Sequence, residues 1–194
     1  MNIEFIEEGH IYKVDGAVVP SVTQILDGLY DLSKFSPDTL ETARQKGVAV
    51  HKMVELDCLK KLDEQTLPEW MLPVFIQWRK FVAESGFKFM ESECVVYHPT
   101  YRYAGTLDLY GSVKGRLAII DIKRSFAAGP TIGLQLAGYA AAKYNDTKLP
   151  DLGRYALKLN ENGPYRLEPY TDKSDLSTFL SLLTVKNWKR KHSL

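Results

Sequence analysis

The order of the predicted elements indicates an α/β fold built around a mixed central β-sheet flanked by helices. Helical patterns come first, a cluster of apolar strands follows near the middle of the chain, and a late hairpin precedes a closing helix. A small-residue helix stands between the strand cluster and the hairpin. Such a helix is typical of a crossover connection, so the central sheet is predicted to be mixed.

Composition limits the classes of protein to consider. The 194 residues favour one domain with a substantial core, and 45% hydrophobic with 25% charged residues is typical of a soluble globular protein. The formal charge of +1 excludes a chain-wide basic field, so a nucleic-acid partner would need a local patch. Cys58 and Cys94 are too few for a disulfide framework or a four-thiolate metal cluster. Residues 1–10 lack the pattern of a signal peptide and no apolar run is long enough to span a membrane, so we expect a cytoplasmic protein without a membrane partner.

The N-terminal segment predicts one hairpin and a short helix. Residues 4–22 alternate on both sides of a turn at 14–16, which indicates two antiparallel strands. Ser21 and Thr23 then open a short helix over Gln24–Leu29.

Two longer helices follow. Ser36 is placed to cap the first and Pro37 to begin it, and apolar residues recur at helical spacing to about Leu62. The second is predicted over 69–85, with a break or kink at Pro73.

The second half of the chain predicts the sheet. Three strands come first: Lys88–Tyr97, Tyr103–Ser112 and Arg116–Lys123. A helix over 133–144 is rich in small residues and can pack close to a sheet, and 153–170 is a hairpin turning at Asn162 and Gly163. An amphipathic helix over 173–191 closes the chain. We therefore predict a single domain of four segments: 1–35, 36–86, 87–145 and 146–194.

Two charges stand at the end of a strand that is otherwise apolar. Asp121 and Lys123 follow residues 118–120, and strand alternation points both side chains to one face. A hairpin with the preceding strand would bring Asp108 beside them. Two carboxylates and a lysine suit metal-assisted hydrolysis of a phosphodiester, since hard oxygens hold a divalent ion and the lysine can orient water. For an isolated D-x-K pattern, a cross-strand pair or a solvated strand end is the common alternative.

Residues elsewhere strengthen the chemical interpretation. His51 lies one helical turn after Gly47, whose cost to the helix of roughly 1 kcal/mol relative to alanine suggests a close approach. Gln135 and Tyr139 share a second i, i+4 pair on the helix after the D-x-K strand. Gly105, inside a strand pattern, suggests a bulge or a close backbone approach.

In chain order these residues spell G-x-x-x-H, Glu, G-x-x-D, D-x-K and Q-x-x-x-Y. The set resembles the RecB-type branch of the PD-(D/E)XK nuclease superfamily, and residues 10–26 resemble the start of phage and mitochondrial genome maintenance exonuclease-like members. The motifs are filled by Gly47–His51, Glu93, Gly105–Asp108, Asp121–Lys123 and Gln135–Tyr139. Leu107 replaces the proline of the superfamily's name, which is usual in this branch. The four cysteines of iron–sulfur relatives are absent, so no such cluster is expected.

The resemblance implies a restriction-endonuclease-like core with one or two Mg²⁺ or Mn²⁺ ions at its open edge. The implied metal ligands are His51, Asp108, Asp121 and the main-chain carbonyl of Ile122. Glu93 would bind metal directly or through water, and Glu91 stays open because it shares a face with Glu93. Lys123 would position the attacking water. Gln135 and Tyr139 would hold the site's helix and contact the phosphate backbone, with Gly105 in support.

The implied activity is metal-dependent hydrolysis of DNA from its ends, in phage or bacterial recombination, repair or processing. The expected partners are DNA and a recombinase or single-strand-binding protein, and the expected state is a monomer in the cytoplasm of a bacterial or phage-infected cell. The alternatives are a structure- or single-strand-selective endonuclease and a catalytically weak DNA-binding protein on the same fold.

Three further groups of residues lie outside these motifs. The C-terminal cations Lys186, Lys189, Arg190 and Lys191 surround Trp188 and are either a DNA-backbone contact or a solvated helix end. The aromatic residues Phe35, Tyr101 and Tyr103 either stack on unpaired bases or pack internally. The remaining histidines, His10, His98 and His192, match no motif and are expected at the surface.

Overall fold

The computed structural model describes residues 1–29, 35–124 and 129–193, and the parts of the predicted segments at 30–34, 125–128 and 194 lie outside these. A three-stranded sheet has the order β1-β2-β3 and a five-stranded sheet the order β4-β5-β6-β7-β8. The strands are β1 (Ile3–Ile6), β2 (Ile11–Val14), β3 (Ala17–Val19), β4 (Lys88–His98), β5 (Tyr103–Val113), β6 (Arg116–Lys123), β7 (Gly153–Lys158) and β8 (Arg166–Pro169). The helices are α1 (Val22–Leu26), α2 (Pro37–Cys58), α3 (Leu72–Ser85), α4 (Thr131–Tyr144) and α5 (Asp175–Lys191). Short 3-10 turns occur at Asp27–Leu29, Glu64–Thr66 and Glu69–Met71.

The five-stranded sheet is mixed and flanked by helices, which confirms the predicted fold class. Its strands β6 and β7 are parallel, and the other neighbouring strands are antiparallel. The crossover between β6 and β7 is made by α4, as the small-residue pattern predicted. One apolar cluster joins α1, α4 and α5 to one face of the sheet, and another joins α2 and α3 to the other face.

The N-terminal segment is a three-stranded meander, where the sequence predicted a single hairpin. The predicted turn is present, with Asp15 at φ 49° and Gly16 at φ 80°. A second turn places Gly9 at φ 78° and His10 at φ 52°. Histidine is a weak signal for a left-handed turn position compared with asparagine, aspartate or glycine, and the prediction missed this turn for that reason.

The long helix α2 begins as predicted and ends early. The Ser36 hydroxyl accepts a hydrogen bond from the third residue of the helix, and Pro37 occupies the first turn. The helix ends at Cys58, before the predicted Leu62, because Lys60 adopts the left-handed φ of 57°. No glycine marks this stop, so the sequence gives no signal for it.

The other two helices before the sheet also follow their start signals. Ser21 caps α1 in a reciprocal capping box with Gln24, and a 3-10 turn continues the helix to Leu29. A 3-10 turn precedes α3, and Pro73 lies in the first turn of that helix. The predicted break at Pro73 is therefore the point where α3 begins.

The strands β5 and β6 form the hairpin that the sequence predicted. Its turn at residues 114–115 has φ values of 51° and 81°, as a tight two-residue hairpin requires. The ladder of paired residues runs from this turn to the pair Leu109 and Ile120. Asp108 and Asp121 come directly after that last pair, so the two carboxylates emerge side by side where the ladder ends.

The helices α4 and α5 cover the face of the sheet to which Asp121 belongs. A Cβ added at Gly138 would lie 2.9 Å from the Phe179 ring of α5, so the small residues of α4 permit close packing. The predicted late hairpin and closing helix are present as β7, β8 and α5. Within the described parts of the chain, no helix combines the length and apolar character that a bilayer crossing needs.

Candidate active site

Asp108 is fixed by the main chain of the neighbouring strand. Its Oδ2 accepts a hydrogen bond from the Ile122 N–H at 2.6 Å, just beyond the last paired residues of β5 and β6. The side chain is buried, and burial raises the pKa of Asp108 more than nearby His51 and Lys123 lower it. The carboxylate therefore has one oxygen tied to β6 and the other available to neighbours.

Glu93 approaches Asp108 from β4. It lies between Ser92 and Cys94, which pair with the two β5 residues on either side of Asp108. The φ of Glu93 is 46°, a left-handed conformation inside a strand. Such backbone strain costs about 1–3 kcal/mol and is concentrated at functional sites in proteins. The strain at Glu93 therefore supports a role for its carboxylate.

His51 of α2 faces both carboxylates. Its Nδ1 lies 3.6 Å from Asp108 Oδ1 and 3.6 Å from Glu93 Oε1, and its Nε2 lies 3.1 Å from the carbonyl oxygen of Ile122. Burial lowers the pKa of His51, but Asp108, Glu93 and Asp121 outweigh burial and raise it to about 9. In the metal-free protein the imidazole is therefore charged at neutral pH, and it has to lose one ring proton before that nitrogen can bind a cation.

The side chains of His51, Glu93 and Asp108 together offer ligand atoms that suit a divalent cation. One ligand atom from each residue lies within 4.8 Å of the other two. Imidazole nitrogen and carboxylate oxygen suit Mn²⁺, and the oxygens also suit Mg²⁺, so the group fits the expected ions. Among the described residues this group does not include Asp121. The roles of Asp121 and of the Ile122 carbonyl as ligands remain predictions.

Asp121 and Lys123 are partners, as strand alternation predicted. Asp121 is 2% exposed, and its Oδ2 lies 2.8 Å from Lys123 Nζ in an ion pair. Burial raises the pKa of Asp121 to about 6, although Lys123 lowers it. The ammonium of Lys123 therefore compensates part of the cost of burying this carboxylate.

Gln135 and Tyr139 lie behind the carboxylates on α4. Gln135 donates from Nε2 to the Tyr139 hydroxyl at 3.2 Å, and both side chains are buried. Burial, together with nearby Asp108, raises the pKa of Tyr139. A Cβ at Gly105 would lie 2.6 Å from the Tyr139 ring, so the predicted close approach at Gly105 is confirmed. This packing fits support of the helix, and the contact with a phosphate backbone remains a prediction.

Gly47 lines an opening beside His51. A Cβ there would meet no atom of the described chain within 4 Å, so no described part of the chain makes the close approach that this glycine predicted. Gly47 instead borders a cavity of about 200 Å³, whose other lining residues are Ala43, Val50, His51, Ile122, Lys123 and Arg124. Sequence reasoning missed Ala43 and Arg124. The spacing Ala43, Gly47, His51 along one helix face, and the position of Arg124 next to Lys123, were signals that could have identified them.

The two glutamates of β4 have different partners. Both oxygens of Glu91 contact Lys143 Nζ of α4, at 2.6 and 2.7 Å, and this hydrogen bonding lowers the pKa of Glu91. Glu93 is the glutamate that the structure brings to His51. The choice between them, open from sequence, thus falls on Glu93 by position.

One prediction about the other histidines is wrong. His98 is fully buried at the end of β4, with Nε2 3.0 Å from the Asp146 carbonyl and Nδ1 accepting from the Tyr101 N–H. Its ring packs on two tyrosines, which explains why a histidine is tolerated inside. His10 and His192 are exposed, as expected.

Two of the residues considered for DNA contact have hydrogen-bond partners inside the fold. Tyr103 is buried and donates to the Gly138 carbonyl, so it packs internally and does not stack on bases. Lys186 donates to the main-chain carbonyl of Gln24 at 2.6 Å, which joins α5 to α1. Lys189 and Arg190 are exposed in the last turn of α5, where contact with DNA remains a prediction.

No family model matches the chain, and no curated protein matches its sequence. An alkaline exonuclease, LHK-Exo from Laribacter hongkongensis, is similar in structure with a TM-score of 0.42 and 17% identity, over 89% of this chain and 92% of that chain. The complex of LHK-Exo with dAMP gives a TM-score of 0.40 and 15% identity, over 90% and 93%. The structure of SSO0001 is similar with a TM-score of 0.34 and 12% identity, over 84% of this chain and 81% of that chain. Likenesses at these values do not decide the function, which has to be argued from the site.

Proposed function

We propose that this protein is a divalent-metal-dependent deoxyribonuclease that degrades DNA from its ends. The observation that carries the proposal is the position of His51, Glu93 and Asp108, within 4.8 Å of one another, next to the ion pair of Asp121 with Lys123. The ordered motifs of the RecB-type nucleases, which the sequence resembles, assign roles to these same residues.

The burial of the carboxylates supports a functional site over a structural one. Asp108 and Asp121 are 8% and 2% exposed at the end of one ladder, and burial raises the pKa of each. Burying two carboxylates side by side costs free energy unless a cation compensates their charge. Pairing them with one lysine and one histidine would stabilise the sheet less than apolar side chains of similar size would. Perturbed groups gathered in this way are typical of active sites.

The residues of the chain divide the chemistry between them. A divalent ion, when bound, polarises a phosphoryl oxygen and makes water more acidic. His51, Glu93 and Asp108 would hold the ion, with Asp121 alongside. The ammonium of Lys123, on a side chain that is 32% exposed, would orient the attacking water and oppose the charge that develops on the phosphate. Tyr139, hydrogen-bonded to Gln135, would keep α4 in place behind the carboxylates.

The choice of DNA ends as substrate rests on the resemblance to exonuclease-like members of that branch. The purified protein is incubated with a linear single strand and with the closed circle of the same sequence, in Mg²⁺, Mn²⁺ or EDTA. We expect the linear strand to become short products in either ion and to stay intact in EDTA, and the circle to survive under all three conditions. Equal rates on circle and linear strand would show an endonuclease, and no degradation of either would refute the nuclease.

A further inference from the structure

Glu161, in the loop between β7 and β8, contacts cations from two other parts of the fold. Its Oε1 lies 3.1 Å from Lys46 Nζ on α2. The Arg124 guanidinium, directly after β6, donates to the same oxygen. One carboxylate oxygen thus joins α2 to the end of β6. The three side chains are 24–32% exposed, so solutes can reach this contact.

Both cations stand beside the candidate active site. Arg124 follows Lys123 and borders the cavity of about 200 Å³ that also contains His51. A second cavity, of about 390 Å³, extends along α2, and its lining residues are Asp38, Thr39, Thr42, Ala43, Lys46 and Arg124. Ala43 and Arg124 line both cavities, so the two cavities lie next to each other between His51 and the start of α2.

The two cations that meet at Glu161 favour an anion at this point. Lys46 and Arg124 carry two positive charges and share one carboxylate, and Asp38 also lines the second cavity. Lysine and arginine that converge on one oxyanion are the arrangement by which proteins bind phosphate. Partly exposed ion pairs are weak, so a phosphate group can displace Glu161 from its two partners.

We propose that Lys46 and Arg124 form a subsite for a phosphate group of the DNA strand, and that Glu161 occupies this subsite when no strand is bound. The inference rests on the proposed nuclease function and names the side chains that hold the strand next to the cleavage position. The phosphate is a backbone phosphodiester or a terminal phosphate, which offer these cations the same oxygens.

The test is direct binding of a fluorescent single-stranded oligonucleotide, measured by anisotropy in EDTA over a series of KCl concentrations. Glu161→Gln keeps the size of the side chain and removes its charge, so it should bind about threefold tighter than wild type or better. Lys46→Ala and Arg124→Ala should each bind more weakly and lower the slope of log K against log salt by about 0.7. Glu41→Gln is the matched control, because it removes a carboxylate from α2 that pairs with Arg44 at 2.8 Å and lines neither cavity.

The oligonucleotide is supplied with a 5′-phosphate and with a 5′-hydroxyl. A gain for Glu161→Gln with both forms assigns the subsite to the backbone, and a gain confined to the phosphorylated form assigns it to the strand end. An unchanged affinity of Glu161→Gln, or an equal gain in Glu41→Gln, overturns the subsite while wild type still binds and cuts DNA. A wild type that neither binds nor cuts any of these strands overturns the proposed nuclease function as well.

Discussion

The Asp108 carboxylate accepts a hydrogen bond from the Ile122 main-chain N–H at 2.6 Å. Asp108 lies one position beyond Leu109, and Ile122 two positions beyond Ile120, which form the last pair of β5 and β6. A side chain of one strand here replaces the main-chain acceptor that a continuing ladder would supply. The bond orients Asp108 toward His51 and Glu93. The stability of the fold and the binding of a metal ion therefore depend on the same carboxylate. Different substitutions at Asp108 can separate these two effects.

Asp108→Ala should destabilise the metal-free protein more than Asp108→Asn does. Alanine leaves the buried Ile122 N–H without an acceptor, which costs about 1–3 kcal/mol, and the asparagine oxygen can still accept. Both variants should lose divalent-ion binding, because an amide or a methyl group lacks the charge that a hard cation requires. Urea unfolding in EDTA measures the first effect. Equal free energies of unfolding for the two variants would mean that the hydrogen bond does not contribute.

Glu93→Gln should weaken the binding of Mn²⁺, and Glu91→Gln should leave it unchanged. The first carboxylate faces His51 and the second is paired with Lys143. Calorimetric titration of the two variants compares the same chemical change at two positions of one strand. The assignment of Glu93 fails if Glu91→Gln has the larger effect.

His51→Ala should lose more affinity for Mn²⁺ than for Mg²⁺, since imidazole suits the softer ion better. Titration of each metal into wild type and variant gives the two ratios. His192→Ala serves as the control, because it makes the same substitution at an exposed histidine that follows α5. An unchanged Mn²⁺ affinity in His51→Ala would remove His51 from the ligand set.

The charge on His51 should make the stability of the metal-free protein depend on pH. Burial lowers the pKa of His51, but the surrounding carboxylates raise it from 6.5 to about 9. A raised pKa adds stability that is complete below pH 6.5 and is lost as the pH rises through 9. Between these values in EDTA, wild type should lose about 1–3 kcal/mol relative to His51→Gln in urea unfolding. Parallel curves for the two proteins would contradict the raised pKa.

Sequence patterns predicted the parts of the site that depend on local spacing. The hairpin of β5 and β6 follows from alternation and a turn signal, and its register alone brings Asp108 and Asp121 to the same end of the ladder. The start of α2 follows from Ser36 and Pro37, and one helical turn relates Gly47 to His51. Each of these relationships spans a few residues, where backbone geometry leaves little choice.

Contacts between distant elements could not be predicted in this way. The separation of Glu93 from Glu91 depends on α4, which places Lys143 against one of them. The burial of His98 depends on a carbonyl that lies 48 residues further along the chain. The contact of Glu161 with Lys46 joins a loop to a helix across 115 residues, and no periodicity in either segment indicates it.

Lys123 is expected to act directly in the metal-dependent hydrolysis of DNA. The most direct test compares wild type with Lys123→Ala in Mn²⁺ for the release of nucleotides from a linear single strand, with melting temperature and affinity for DNA measured alongside. We predict rapid release by wild type, none in EDTA, and none by Lys123→Ala, while the variant stays folded at the assay temperature and binds DNA much as wild type does. Release by Lys123→Ala at the wild-type rate, or no release by wild type in Mn²⁺ or Mg²⁺, would contradict the account.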